Sequence, residues 1–337
     1  MLKILLDCLG LDKGYKEVVE AGIESVKKDK DIEVTFVGRV EEIISELKKY
    51  KYDENQIKII NAQEEISCND IPTKAIKEKT NSSLVVGLEN LKNGDYDALI
   101  SGGSTGAVLT GGFLKIGRIK GVSRPALCPM LPTIEGGKVM LMDCGANVDC
   151  KPINLCHFAL MSHIYLKEIM GIKKPRIALL NNGTEENKGN ELTKETYKLL
   201  KEMPINFIGN LEAKDFLSGK ADVVICDGFA GNVLLKGTEG ATKLVLNMLK
   251  SEIKKSFSCK IGALFMKKAF KNMKKQLDVN GQGGSMMLGL KKTLIKVHGS
   301  SSYKAIVGAI NQAKEFKNSN ILEKFESEFS KQVGVEE

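Results

Sequence analysis

Residues 102–106 read Gly102-Gly103-Ser104-Thr105-Gly106, a G-x-S-x-G match that follows an apolar run and leads into a helical pattern. In α/β-hydrolases this arrangement presents a nucleophilic serine at a tight strand-to-helix turn. A serine there needs a base and an acid, and Asp227 and His298 follow Ser104 in the required chain order. The chain has three His in all, so that order is a weak test, and no HGGG-like oxyanion loop precedes the serine. A serine thioesterase or esterase therefore stands as one reading. A second stretch, DCGANVDCKP (143–152), holds two Cys, two Asp and an Asn within ten residues. It suits a metal site, a redox pair, or the polar rim of a pocket. Cys144, Cys150 and Cys156 recur every six residues, which is not a zinc spacing, and C-x-x-C and H-E-x-x-H are absent, so we expect no metal. The apolar start of the chain stops at Asp7, too soon for a secretory signal. We therefore expect a cytoplasmic protein, in which a disulfide framework is not expected. No G-x-G-x-x-G follows a first strand and no Walker A loop is present, so no nucleotide cofactor is expected. What remains is group transfer that uses an anion and no cofactor.

The elements that must position these residues read as an α/β chain. Strand patterns fall at 3–7, 32–38, 57–62, 97–101, 125–130, 138–143, 176–181, 205–209 and 222–227, and helical patterns at 14–28, 81–93, 152–170, 190–202 and 231–250. Several strands are continuous apolar runs, as strands buried on both faces should be. The alternation predicts a largely parallel sheet within one domain spanning 1–337. Ligands of such sheets bind beyond the carboxyl ends of the strands. Four strands there lead into GGSTGA, CGANVDCKP, NGTEENKGNE and GFAGNV. Gly lets backbone N–H groups approach a ligand and helix N-termini favour anions, so the shared rim reads as an anion site. Ordinary turn chemistry is the plainer explanation of the same loops.

The stretches DCGANVDCKP, NNGTEENKGNEL (181–192), DVVICDGFAGNVLLK (222–236) and LIKVHGSS (294–301) resemble motifs of the PlsX family, the acyl-ACP:phosphate acyltransferases of bacterial phospholipid synthesis. SGGSTGAVLTG (101–111), RPAL (124–127) and NSSL (81–84) fit as well, and the resemblance runs from DCLGLD (7–12) to the helix after His298. It implies a three-layer α/β/α sandwich like that of isopropylmalate dehydrogenases and phosphate acetyltransferases. It also implies a reaction without metal or cofactor, in which inorganic phosphate attacks the thioester of an acyl carrier protein. Lys188 is then expected to hold phosphate or neutralise the oxyanion, and Asn232, after Gly231, to donate to either. Each has a plain alternative, a solvated Lys at a helix start and a cap. Gly102, Gly103, Ser104, Thr105 and Gly106 become part of the phosphate and substrate rim, together with Asp143, Asn147, Asp149 and His298. For those last four, turn-making, capping or packing competes with direct contact. Two departures stand out. Leu11 occupies a position where the family has Gly, and Tyr15 one where it has Pro. The family often reads S-A-G-N-T-G-A where this chain has SGGSTGA. Asn cannot accept an acyl group, so a position that takes either residue is not a nucleophile, which counts against Ser104.

The net charge of +8 is concentrated in 251–278, where eight Lys face two acids, Glu252 and Asp278. Ile253, Phe257, Ile261, Leu264, Phe265 and Met273 recur there at near-helical spacing, and Gly262 suggests a break into two helices. Such a segment packs at a dimer interface, touches an anionic membrane, or docks an acidic carrier protein. The resemblance favours a protruding amphipathic hairpin at the tip of a homodimer, with Leu264, Phe265, Lys267 and Lys268 at the contact and the protein peripherally membrane-associated. Nucleic acid is not expected, since no binding motif accompanies the charge. A catalytically idle adaptor for membrane or carrier protein is the remaining alternative.

Overall fold

A computed structural model describes residues 1–277 and 283–333. In chain order the strands are β1 (Leu2–Asp7), β2 (Ile32–Gly38), β3 (Ile57–Asn61), β4 (Ala98–Ser101), β5 (Ala126–Cys128), β6 (Met130–Pro132), β7 (Lys138–Met142), β8 (Ile177–Asn181), β9 (Phe207–Glu212), β10 (Val223–Ile225), β11 (Ser285–Leu288) and β12 (Thr293–Lys296). The helices are α1 (Tyr15–Lys28), α2 (Val40–Leu47), α3 (Pro72–Glu78), α4 (Ser83–Asn93), α5 (Thr105–Gly111), α6 (Pro152–Glu168), α7 (Glu191–Glu202), α8 (Gly228–Lys255), α9 (Phe257–Phe265), α10 (Lys267–Leu277), α11 (Tyr303–Asn318) and α12 (Ile321–Val333).

The expected largely parallel α/β architecture is present, with its strands divided between two sheets. The seven-stranded sheet runs β3-β2-β1-β4-β12-β11-β5 and the five-stranded sheet β6-β7-β10-β8-β9. β11 pairs antiparallel to both neighbours, and β6 antiparallel to β7, while the other pairings are parallel. Successive side chains of a strand point to opposite faces, and both sheets use that alternation. Ile4 and Leu6 of β1, Val34 and Phe36 of β2, Met140 and Met142 of β7, and Val223 and Ile225 of β10 all enter one shared core. α6, buried nearly all round, supplies Phe158, Ala159, Met161 and Leu166 to it, and α11 and α12 supply Ile310, Phe325 and Phe329. The opposite faces carry smaller cores. Leu5, Leu99 and Leu294 pack under α4 and α5, and Val139, Ala178 and Val224 pack on the outer side of the five-stranded sheet. The continuous apolar runs in the sequence are strands buried on both faces.

β11 and β12 lie outside the sequence-predicted strands, yet β12 is interior to its sheet, parallel to β4 with Leu294 opposite Leu99. The basic segment departs from expectation in another way. α8 runs unbroken through 28 residues, about 42 Å at 1.5 Å per residue, and of its side only Gly228 and Gly231 are buried. The breaks that follow fall at Ser256 and Met266, and Gly262 lies inside α9. Asp278 lies outside the described residues. Among the described residues no helix is long and apolar enough to cross a membrane.

Candidate functional site

The first wall of the site is built where β1, β4 and β12, adjacent in the sheet, end side by side. Asp7, at the end of β1, accepts the Leu9 N–H (3.1 Å) and the Ser83 hydroxyl (2.6 Å) on one oxygen and the Ser101 hydroxyl (2.6 Å) on the other. Ser101 Oγ in turn accepts the Gly103 N–H at 3.1 Å. The loops after β1 and β4 nest so closely that a Cβ on Gly10 would lie 2.3 Å from the Gly103 nitrogen. Leu11 is part of this nest. Its buried side chain lies against Gly102, where a Cβ would come within 2.3 Å. The departure from the family's Gly is therefore absorbed in loop packing, away from the cavity described below. The last residue of β12, Lys296, reaches across beneath these loops. It is 8% exposed, and Nζ donates to the carbonyls of Gly102 (3.2 Å) and Val297. Burial pulls its ammonium down to about 8.

The facing wall is organised by Asp143, which follows β7 and is fully buried. One carboxylate oxygen accepts the N–H groups of Leu127 (2.9 Å), Cys144 (2.6 Å) and Ala146 (3.3 Å). The other accepts the Asn147 N–H (2.6 Å) and side-chain amide (2.9 Å). Asn147 also donates to the Pro125 carbonyl at 2.8 Å. Because Leu127 belongs to β5, this carboxylate ties the seven-stranded sheet to the loop that follows β7 in the other sheet. Burial raises Asp143 to about 6, and the N–H donors oppose that rise; with donors on both oxygens, the arrangement suits the ionised carboxylate. Above it sits the N-terminus of α8. Asp227 caps the helix by accepting the Ala230 N–H at 2.8 Å, and Gly228 donates to the Asn147 carbonyl at 2.7 Å. A Cβ on Gly231 would lie 1.9 Å from the Asp143 carbonyl oxygen. Gly231 is thus the point at which helix and loop touch, and it sets the position of the next residue, Asn232.

Between the two walls lies a cavity of about 140 Å³, bordered by Thr105, Lys296 and His298 on one side and by Cys144, Asn232 and Lys236 on the other. Lys138 and Glu239 also border it, and Glu239 is paired with Lys236 at 2.8 Å. Three ammonium groups against one carboxylate give it a positive balance of the kind that suits an anion. His298 Nδ1 accepts the Ser300 N–H at 3.2 Å and lies 2.8 Å from Ser300 Oγ. An imidazole accepting at Nδ1 carries its proton at Nε2 when neutral, and that N–H is left for a ligand.

The sequence-predicted site residues divide. Thr105, Asn232 and His298 meet at the cavity, with Gly102, Gly103 and Ser104 immediately behind it. Asp143, Asn147 and Gly231 are buried scaffold of the facing wall, and Asp149 is exposed beside them. Lys188 stands apart. It is exposed on the loop after β8, where its N–H donates to the Glu185 carbonyl (3.2 Å) and its carbonyl accepts from Asn181 (3.2 Å). Its neighbour Gly189 borders a second, larger and more apolar cleft of about 870 Å³, with Asp227, Phe229 and Val233. Sequence reading missed Lys296. The signal was present in LIKVHGSS, since a Lys ending an apolar run two residues before a His sits at the carboxyl end of a strand.

The hydrolase arrangement is not assembled. Ser104 has φ −47° and ψ 125°, ordinary backbone rather than a strained elbow. Asp227 is used as a helix cap, and His298 turns Nδ1 to Ser300. The cysteines are free thiols. Among the described residues no group of three or more His, Cys, Asp or Glu is placed to hold a metal ion.

Comparison with known proteins agrees with this geometry. The family described as "Fatty acid synthesis protein" matches residues 2–324. The phosphate acyltransferase of Clostridium novyi (strain NT) is 45% identical over 332 residues, 98% of this chain and 100% of that protein. That of Alkaliphilus oremlandii (strain OhILAs) is 46% identical over 322 residues, 96% of each chain. Among solved structures, a phosphotransacetylase from Streptococcus pyogenes shares the fold with a TM-score of 0.63 at 18% identity, covering 94% of both chains. A branched-chain phosphotransacylase from Enterococcus faecalis V583 does so with a TM-score of 0.53 at 14% identity, covering 94% of this chain and 99% of that one. A cleft suited to an anion, a phosphotransacetylase-like fold and full-length relatives of one activity converge, and the chain belongs to the fatty acid synthesis protein family, the PlsX family of phosphate acyltransferases.

Proposed function

We propose that this chain transfers a long-chain acyl group from the thioester of acyl carrier protein to inorganic phosphate, yielding acyl phosphate and free carrier protein for phospholipid synthesis. The observation that carries this reading is the cavity between the two sheets, where Lys138, Lys236 and Lys296 face Asn232 and His298. An oxygen of phosphate attacks the acyl carbonyl and forms the new C–O bond. The tetrahedral intermediate then expels the carrier's thiolate as the C–S bond breaks, and the thiolate takes up the proton that hydrogen phosphate carried in. The nucleophile arrives already charged, so no side chain need be activated. The site's task is to hold phosphate against the carbonyl and to stabilise the oxyanion. In this reading Asn232 and His298 Nε2 donate to that oxyanion. Lys188, on its exposed loop, fits a role at the mouth, meeting the carrier-borne substrate.

The test is incubation with palmitoyl-acyl carrier protein, with and without inorganic phosphate, and trapping with hydroxylamine. Hydroxamate that forms only with phosphate is the expected result. Ser104→Ala should retain activity within about threefold, since among the described residues the Ser104 hydroxyl is hydrogen-bonded to no base. Fatty acid released without phosphate, and abolished in Ser104→Ala, would restore the hydrolase reading. Carrier protein bound without turnover would restore the adaptor.

The same reading covers the long helix. Phe229, Val233, Leu244, Val245 and Met248 are each at least 58% exposed along α8, an apolar face suited to a second copy of the chain in a homodimer. Leu264 and Phe265, 71% and 85% exposed, sit at the far end beside Lys267 and Lys268, a composition suited to an anionic membrane surface. A peripheral location fits a product whose acyl chain must leave water. The double variant Leu264→Ser/Phe265→Ser is expected to lose flotation with anionic vesicles while keeping its activity on soluble substrate. Flotation equal to that of the unsubstituted protein rules out this contact.

A further inference from the structure

We propose that Lys296 is the residue that holds the phosphate nucleophile, a role that rests on the acyltransfer reading above and makes one of its residues specific. Buried ammonium groups are normally paired with a carboxylate, because an unpaired buried charge is costly. Lys296 has no ion pair among the described residues. Its two bonds go to the backbone carbonyls of Gly102 and Val297. An ammonium has three N–H groups, so one remains for the cavity it borders. The carboxylates whose charge acts on it are Asp7 and Asp12. Asp7 is already occupied by Leu9, Ser83 and Ser101, and Asp12 sits beneath Gly299. The partner this cation lacks is an anion inside the cavity.

Position strengthens the case. Lys296 ends a strand with neighbours on both sides, so its placement is fixed by the sheet, as binding chemistry requires. Across the cavity is Asn232, and two residues further along the chain is His298. Phosphate held at Lys296 therefore has the two candidate oxyanion donors on either side. No proton is exchanged: the ammonium contributes charge and one hydrogen bond. Burial, aided by Lys236, lowers it to about 8 against the opposing pull of Asp7, Cys68 and Asp12. The cation is present at neutral pH and lost above it.

The experiment is a titration with inorganic phosphate, without acyl donor, followed by the melting temperature of the full-length protein. Phosphate should raise the melting temperature of the unsubstituted protein and leave that of Lys296→Met unmoved. In turnover, Lys296→Met should raise the phosphate KM by about tenfold or more and change the acyl-carrier-protein KM by less than about twofold. Its melting temperature without phosphate is the reference for the variant, which loses a buried charge and also the donor to the Gly102 and Val297 carbonyls. A lowered melting temperature with both KM values rising together would mean that Lys296 only ties the loops, and would overturn the proposal, as would unchanged phosphate binding. If Lys296→Met does not fold, the unsubstituted protein decides. Phosphate affinity should fall at least about threefold between about pH 7 and about pH 9, and constant affinity overturns the proposal. The two readings fail separately. Phosphate binding that depends on Lys296 without hydroxamate formation leaves an anion site and removes acyl transfer. Hydroxamate formation with a phosphate KM indifferent to Lys296 removes this assignment alone.

Discussion

Asp143→Asn is expected to destabilise the protein by roughly 2–5 kcal/mol, the cost of leaving two or more buried N–H donors without an acceptor. The substitution changes shape little, but every group around the carboxylate is a donor. If the new amide nitrogen takes the position facing Asn147, it meets that residue's N–H and side-chain amide. If it takes the other, it meets the N–H groups of Leu127, Cys144 and Ala146. Neither rotamer avoids placing donor against donor. Stability of ordinary domains is about 5–15 kcal/mol, so a large share of the margin is at stake. Urea unfolding monitored by circular dichroism measures it directly. Exposed Asp149 is the control, and Asp149→Asn should stay within about 0.5 kcal/mol of the unsubstituted protein. Equal effects at the two positions would show that Asp143 does not hold the sheets together.

The second large effect belongs to Gly231→Ala. Its added methyl would meet a backbone oxygen at 1.9 Å, and no side-chain rotation relieves that contact. The helix has to lift from the loop after β7, at the upper end of overpacking costs, about 3 kcal/mol. Asn232 moves with it. A shift of about 1 Å in a positioned group can cost about a hundredfold in rate, so kcat/KM should fall at least that far. Gly237 and Gly240 of the same helix have open space at the Cβ position. Alanine there should stabilise by roughly 0.5–1 kcal/mol each through helix propensity. A Gly231→Ala enzyme with ordinary kcat/KM would mean that Asn232 needs no such placement.

How far the sequence announces this depends on the kind of information. The strands of the shared core were legible because their apolar runs are continuous, and IEVTFVG matches β2 residue for residue. β11 and β12 were not, because β11 lies between Gly284 and Gly289 and β12 carries Thr293 and Lys296 at its ends, so neither presents a long apolar run. Losing β12 also hid Lys296, which outside a strand looks like one more solvated lysine. The division into two sheets was hidden for a different reason. An apolar run fixes that a strand is buried, not which strand it pairs with. The loops after β4, β7 and β10 were legible by composition, but which of their residues face the cavity was not. Asp143 and Asn147 read as rim residues, and their donors and acceptors are spent inside the wall. Leu11 read only as a departure from the family's Gly, and its side chain packs against Gly102.

The order of strands in the seven-stranded sheet bears on how the chain is made. β12 lies between β4 and β11, and β11 is β5's partner. As synthesis proceeds from the N-terminus, β4 keeps an unpaired edge until residues 285–296 leave the ribosome. The five-stranded sheet has all its strands by Ile225 and can close first. The half of the protein that is read first is thus finished last, and an unpaired strand edge is a template for association with other chains. A nascent product stalled within the lysine-rich helices would carry that open edge together with the apolar face of α8.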